Sequence, residues 1–339
     1  MKIVVDGMGG DHSPTEIVKG CVDAIKEMTA HITIVGDETQ IQLELEKYDY
    51  DKSRLSVIPT SEVITNDDKP VKAVRKKKDS SIVVGMNMVK DKEADVFISA
   101  GNTGAIMTGA LFIIGRISGI DRPVIASIFP GIKPFLLVDS GANAECKPHN
   151  LVEFGIMGSV YSEKVLGMEN PSVALVNIGE EASKGTQTIQ TAFELMKETH
   201  LNFQGNIEAR EVPEGKANVV VCDGFVGNVI LKLSEGIADL FINLLKKKLK
   251  ESFLVKIGAL IMSGKLKEMS KELDYSEYGG APILGVKGAV IKMHGSSKAK
   301  AVKNAILRAQ PYVENNVVEM IHDEVSQIES IKSKEMKDG

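Results

Sequence analysis

Short runs of apolar, often β-branched residues recur along the chain at Lys2–Val5, His31–Val35, Arg54–Ile58, Asp95–Ser99, Phe135–Val138, Ser172–Asn177 and Asn218–Cys222. Between them lie stretches with helical patterning. The alternation predicts an α/β fold: a doubly wound, mostly parallel sheet with helices on both faces. No internal repeat, low-complexity segment or Pro/Gly/Ser linker divides the chain. The reading is a single α/β domain over 1–332, with a helical projection around 229–273 and a polar tail at 333–339.

The projection follows from periodicity. From Val229 to Glu251 the apolar residues Ile230, Leu233, Ile237, Leu240 and Leu244 fall at steps of three and four, the stripe of one helix face. At 1.5 Å per residue this segment is about 35 Å long, enough to leave a compact domain and pair with its copy in a dimer. An apolar stretch follows that contains Phe253, Leu254, Ile257, Leu260 and Ile261, flanked by lysines. It is too short to span a bilayer, and two readings stand: burial against a dimer partner, or contact with anionic lipid headgroups.

Composition narrows the classes. A chain of 339 residues, 43% hydrophobic and 26% charged, is globular rather than disordered. Apolar stretches such as Ala105–Ile114 stop short of a membrane span, and the N-terminus reads as a first strand rather than a signal peptide, so a cytoplasmic protein is expected. Cys21, Cys146 and Cys222 form no CxxC pair and read as buried thiols. The net charge of -5 gives no overall attraction for nucleic acid. Basic clusters at Arg75, Lys76, Lys77 and Lys78 and at Lys246 and Lys247 are local sites for an acidic partner, or solvated helix faces.

Chemistry is expected where strands end in turns rich in Gly, Asn and Asp, because such ends converge on the ligand crevice of open α/β sheets. After Asp95–Ser99 comes Ala100-Gly101-Asn102-Thr103-Gly104-Ala105, opening an apolar helix. Glycines let backbone approach a ligand and free N–H groups attract an anion, though a plain Asn/Thr cap fits equally. The turn at Asp139, Ser140, Gly141, Ala142 and Asn143 has the same layout. So has Asp223-Gly224-Phe225-Val226-Gly227-Asn228, where an Asp turn and Asn cap compete with ligand binding. In the loop after Ser172–Asn177, Lys184 is a compact cation among small residues, suited to phosphate or an oxyanion, or merely solvated. Two more small-residue segments are Asp6–Pro14 and Tyr278–Gly288, the latter leading to His294-Gly295-Ser296-Ser297. His294 is either a structural histidine or a catalyst. Walker A, GxGxxG, HExxH and GxSxG patterns are lacking, so neither nucleotide, metal nor a serine nucleophile is called for, and no cofactor is expected.

Taken in order, Asp6–Pro14, Ser99–Ala105, Asp139–Asn143, Asn177–Thr186, Cys222–Asn228, Tyr278–Gly288 and His294–Ser297 closely resemble the phosphate acyltransferases of bacterial phospholipid synthesis. The resemblance covers nearly the whole chain, with Ile283 where Leu is expected. It implies a fold similar to isocitrate dehydrogenases and phosphotransacetylases, and a homodimer. It implies transfer of a long-chain fatty acyl group from acyl carrier protein to inorganic phosphate, giving acyl phosphate for phosphatidic acid and phospholipid synthesis. A membrane glycerol-phosphate acyltransferase would consume that product, which favours peripheral membrane association.

Phosphate, ionised near neutral pH, attacks a thioester carbonyl without a protein nucleophile, so positioning and charge stabilisation are the enzyme's task. The expected catalytic residues are Lys184, Asn228, Asp223 and His294. Gly101, Asn102, Thr103 and Gly104, with Lys184, are expected to hold phosphate. Asp139, Asn143 and Gly224, with Asp223 and Asn228, are expected to line the thioester path. The enzyme rivals are a dehydrogenase of the isocitrate type, for which no arginine cluster is found, and a short-chain phosphate acyltransferase using coenzyme A. The non-enzyme rival is a scaffold that docks on membranes and binds acyl chains.

Overall fold

Successive residues of the apolar runs go to opposite sides of one sheet. Ile3 and Val5 pack in one core cluster and Val4 in a second; Val96 and Ile98 likewise flank Phe97, and Leu136 and Val138 flank Leu137. This period of two, with both faces buried, is why the strands read as unbroken apolar runs. The computed structural model describes residues 1–129, 133–249, 251, 253–272 and 277–328, with backbone alone at Phe253, Leu254 and 270–272. The expected polar tail at 333–339 lies outside the described residues, as do the side chains of Phe253 and Leu254.

The strands are β1 (Lys2–Asp6), β2 (His31–Gly36), β3 (Leu55–Pro59), β4 (Val96–Ser99), β5 (Val124–Phe129), β6 (Phe135–Val138), β7 (Ser172–Asn177), β8 (Asn202–Glu208), β9 (Val219–Val221), β10 (Ala281–Leu284) and β11 (Ala289–Lys292). They form one 11-stranded sheet in the order β3-β2-β1-β4-β11-β10-β5-β6-β9-β7-β8. The contacts β11·β10, β10·β5 and β5·β6 are antiparallel and the rest parallel, so the sheet is mostly parallel as expected. Three successive reversals have a consequence that the apolar pattern did not carry. The half β3-β2-β1-β4-β11 runs opposite to the half β6-β9-β7-β8, so the Gly/Asn/Asp turns do not all leave one edge. β5 and the short strands β10 and β11, which lie in glycine-rich sequence, make that reversal.

Helices cover the sheet. Pro148–Lys164 is buried along most of its length. Thr15–Ile25 packs on Ala299–Glu314 at Gly20, where a β-carbon would collide with Val302. The helix Gly224–Lys248 is capped by Asp223, whose carboxylate accepts the Val226 N–H at 2.8 Å. Its apolar stripe is out of phase with the sequence reading at the start: Ile230 packs on the core near Phe135, while Val229 is exposed. Leu233, Ile237, Leu240 and Leu244 are exposed in the single chain, as are Leu260 (75%) and Ile261 (80%) in the following helix Phe253–Ile261. No described helix is long and apolar enough to cross a membrane.

Candidate active site

A cleft of about 410 Å³ opens where the two half-sheets meet. Gly101 and Thr103 line it from the loop after β4, and His294, Gly295 and Ser297 from the segment after β11. Ser140 and Gly141 enter from the turn after β6, Ile125 and Ser127 from β5, and Asn228, Lys232 and Glu235 from the long helix.

The Gly101 loop is held from beneath. Asp6, buried at the end of β1, accepts the Ser99 hydroxyl at 2.6 Å, and Ser99 Oγ accepts the Gly101 N–H at 3.0 Å. Burial pushes the Asp6 carboxyl above the ordinary carboxylate range, while bonds from Ser81 and Ser99 pull it back. Gly9 rests on this chain, since a β-carbon there would lie 2.7 Å from the Gly101 nitrogen. Gly10, at φ +94°, sits below Gly295, and the Asp11 N–H donates to the Gly295 carbonyl at 2.8 Å. The first loop thus ties the β4 and β11 ends together.

The turn after β6 is organised by Asp139. Its buried carboxylate accepts the N–H groups of Ile125 (3.2 Å), Gly141 (3.1 Å), Ala142 (3.0 Å) and Asn143 (2.7 Å), and the Asn143 side-chain amide (2.9 Å). Burial raises the pKa of Asp139, with these donors opposing. Asn143 also donates to the Pro123 carbonyl at 2.8 Å, and its own carbonyl accepts the Gly224 N–H at 2.7 Å. This framework presents Ser140, whose hydroxyl lies 2.6 Å from that of Ser127, and Gly141, at φ +141° against Asn228.

Of the residues chosen from sequence, Gly101, Thr103, Asn228 and His294 meet in the cleft. Asn102 instead caps its helix, accepting the Ala105 N–H at 2.9 Å, and Gly104 is covered by Pro70. Asp139, Asn143, Gly224 and Asp223 form the framework behind the wall and do not line the cleft. Lys184 is exposed on the loop after β7 and does not line it either. Of the basic cluster Arg75 to Lys78, Lys77 is engaged with Asp68 at 2.6 Å. Lys246 and Lys247 are exposed at the far end of the long helix.

Five polar lining residues escaped the sequence reading: Lys292 at the end of β11, Lys232 and Glu235 on the long helix, Ser127 on β5, and Asn66. The signal for Lys292 was its position two residues before His294, since extended residues at i and i+2 share a side. At His294, Nδ1 accepts the Ser296 N–H at 3.2 Å and lies 2.7 Å from the Ser296 hydroxyl. With Nδ1 accepting, the neutral ring carries its proton on Nε2. Burial, then the charges of Lys292 and Lys232, lower the His294 pKa from its ordinary value, with Glu235 and Asp11 opposing. The imidazole is therefore neutral at pH 7. The cleft combines backbone N–H groups, hydroxyls, two lysines and a neutral imidazole donor, a set suited to an anion and a polarised carbonyl. Among the described residues no cluster of His, Cys, Asp and Glu is arranged to hold a metal.

Residues 1–320 match the profile of a family described as "Fatty acid synthesis protein". The chain is 56% identical over 329 residues to a protein of Alkaliphilus oremlandii named "Phosphate acyltransferase", covering 97% of this chain and 98% of that one. The chain belongs to the phosphate acyltransferase family. A second phosphate acyltransferase, from Clostridioides difficile, is 50% identical over 328 residues and 96% of each chain. Among solved structures, a phosphotransacetylase from Streptococcus pyogenes superposes with a TM-score of 0.65 over 93% of this chain and 94% of its own. At 16% identity that likeness speaks for the fold alone.

Proposed function

We propose that this phosphate acyltransferase transfers a long-chain fatty acyl group from acyl carrier protein to inorganic phosphate, releasing acyl phosphate for phosphatidic acid synthesis. Full-length kinship to phosphate acyltransferases is the observation that carries the reading. The cleft's chemistry supports it. A phosphate oxygen attacks the thioester carbonyl, the new C–O bond forms as the C–S bond breaks, and sulfur leaves with the electron pair. The Gly101 and Thr103 loop binds phosphate, while the Nε2–H of His294 and the Asn228 amide stabilise the carbonyl oxygen as it gains charge. No protein acyl intermediate is required. The experiment is a comparison of acyl carrier protein with coenzyme A as the thioester donor. Phosphate-dependent turnover several-fold or more faster on the carrier protein is expected, and a preference for coenzyme A would contradict the donor assignment.

For docking the acidic carrier protein, the helix Pro70–Lys76 is favoured over Lys246 and Lys247. Pro70, at the start of this helix, packs on Gly104, the neighbour of the cleft-lining Thr103. Lys246 lies 18 residues along the helix from Asn228, about 27 Å at helical rise. Reversing Arg75, Lys76 and Lys78 to Glu is expected to raise KM for the carrier protein about tenfold at low salt, less at high salt, and to leave KM for phosphate unchanged. An unchanged carrier-protein KM would remove this surface.

The exposed stripe at Leu233, Ile237, Leu240 and Leu244 supports a homodimer contact, and Leu260 with Ile261 between basic flanks supports peripheral contact with a membrane, where a glycerol-phosphate acyltransferase would consume the product. Leu233→Glu with Ile237→Glu is expected to yield monomers on gel filtration. Leu260→Glu with Ile261→Glu is expected to abolish sedimentation with anionic vesicles and to leave the oligomer intact. If the second pair instead dissociates the protein, that segment is an interface and the lipid reading falls.

A further inference from the structure

We infer that Lys292 is the cationic anchor of the phosphate co-substrate, an inference that rests on the phosphate-transfer reading above. Register places it there. Lys292 closes β11 level with Ser99 on β4 and with Ala281 on β10, one residue before the Ala100-Gly101 turn begins. The Met293 N–H donates to the Ser99 carbonyl at 2.8 Å and fixes that level. In the cleft Lys292 shares the lining with Gly101, Thr103, Gly280 and Ser297, which offer backbone and hydroxyl groups.

The charge balance gives the second argument. Lys292 is half-buried, yet among the described residues no carboxylate lies within ion-pair distance of it. By contrast Lys77 holds Asp68 at 2.6 Å, and Lys232, on the cleft wall, holds Glu235 at 2.7 Å. Among the described residues Glu235 is the one acidic residue lining the cleft, and it is paired with Lys232. A partly desolvated ammonium without a counter-ion is unfavourable unless an anion joins it. Burial, and the Lys232 charge after it, lower the Lys292 pKa, with Glu235 opposing. A doubly charged phosphate seated on Lys292 beside the Gly101 and Thr103 loop supplies that counter-ion, in the same cleft as His294 and Asn228. Lys292 takes no part in bond breaking; it binds and orients the nucleophile.

The test uses the full-length protein with acyl carrier protein thioester and inorganic phosphate. Lys292→Ala is expected to raise KM for phosphate about thirtyfold, the scale of one lost charge-assisted bond, with KM for the carrier protein within about twofold of wild type. Lys292→Arg is expected to recover most of that loss. Calorimetric titration with inorganic phosphate alone should show binding to wild type and none to Lys292→Ala. If Lys292→Ala does not fold, Lys292→Met keeps the aliphatic stem and answers the same question. Unchanged phosphate KM and binding heat, or a fall in kcat alone, would overturn the assignment. Failure of the transfer reading looks different: wild type would make no acyl phosphate, while the calorimetry still reports whether Lys292 holds phosphate.

Discussion

Gly9→Ala is expected to lower kcat/KM for phosphate by about 100-fold or more while the protein stays folded. The glycine lies outside the cleft, so the effect is transmitted through backbone. A β-carbon at this position would meet the Asp6 carboxylate, and would lie 2.7 Å from the Gly101 nitrogen and 3.0 Å from its α-carbon. No side-chain rotation relieves a contact with backbone. Either the first loop rises or the Gly101 turn moves, and the turn is the less constrained, being held through the bond from the Gly101 N–H to Ser99 Oγ. A shift of about 1 Å in an anion-binding loop is enough for a loss of that size. The overpacking itself costs about 1–3 kcal/mol. Phosphate-saturation kinetics beside thermal denaturation check this. Near wild-type kcat/KM in a folded Gly9→Ala protein would show that the loop tolerates displacement.

The second large effect is on stability. Asp139→Ala removes the buried acceptor shared by four backbone N–H groups and the Asn143 amide. The buried Ile125 N–H and the part-buried donors of the turn lose their partner together, and the expected cost is about 3–5 kcal/mol. For a protein of this size that is about 4–7 °C in Tm. Activity should fall as well, because the turn that presents Ser140 and Gly141 and braces Gly224 has lost its centre. Asp139→Asn keeps one acceptor oxygen and should lie between the two. A Tm for Asp139→Ala within about 1 °C of wild type would mean that the turn is held by something else.

These two residues illustrate what sequence carries and what it withholds. The apolar runs located β1 to β4, β6, β7 and β9, because strands buried on both faces leave an unmistakable pattern. They did not reveal β8 at the sheet edge, nor β5, β10 and β11, whose antiparallel pairing turns the two half-sheets against each other. A short strand beside glycines and proline looks like a turn until its partners are known. The Gly/Asn/Asp turns stood out in the sequence, yet their residue types do not tell which side chains line the cleft. Asp139 and Asn143 spend their hydrogen-bonding capacity on the framework, Asp223 caps a helix, and Asn228 from the same segment reaches the cleft. Lys184 stood out because it sits among small residues, whereas Lys292 was hidden as the last residue of a strand. Only the register of β11 against β4 brings it beside Gly101. The resemblance to phosphate acyltransferases rested on the order of all the turns, and kinship at 56% identity accords with it.

The central claim is that phosphate itself attacks the acyl thioester in this cleft, and a single-turnover experiment tests it most directly. Purified protein is mixed with an equal amount of long-chain acyl carrier protein thioester in phosphate-free buffer without nucleotide. Free carrier-protein thiol and acyl products are then followed by mass spectrometry before and after phosphate is added. The expected result is no thiol release until phosphate arrives, and then one acyl phosphate formed for each thiol set free. A burst of thiol before phosphate is added, or thiol release after it without acyl phosphate, would contradict direct transfer.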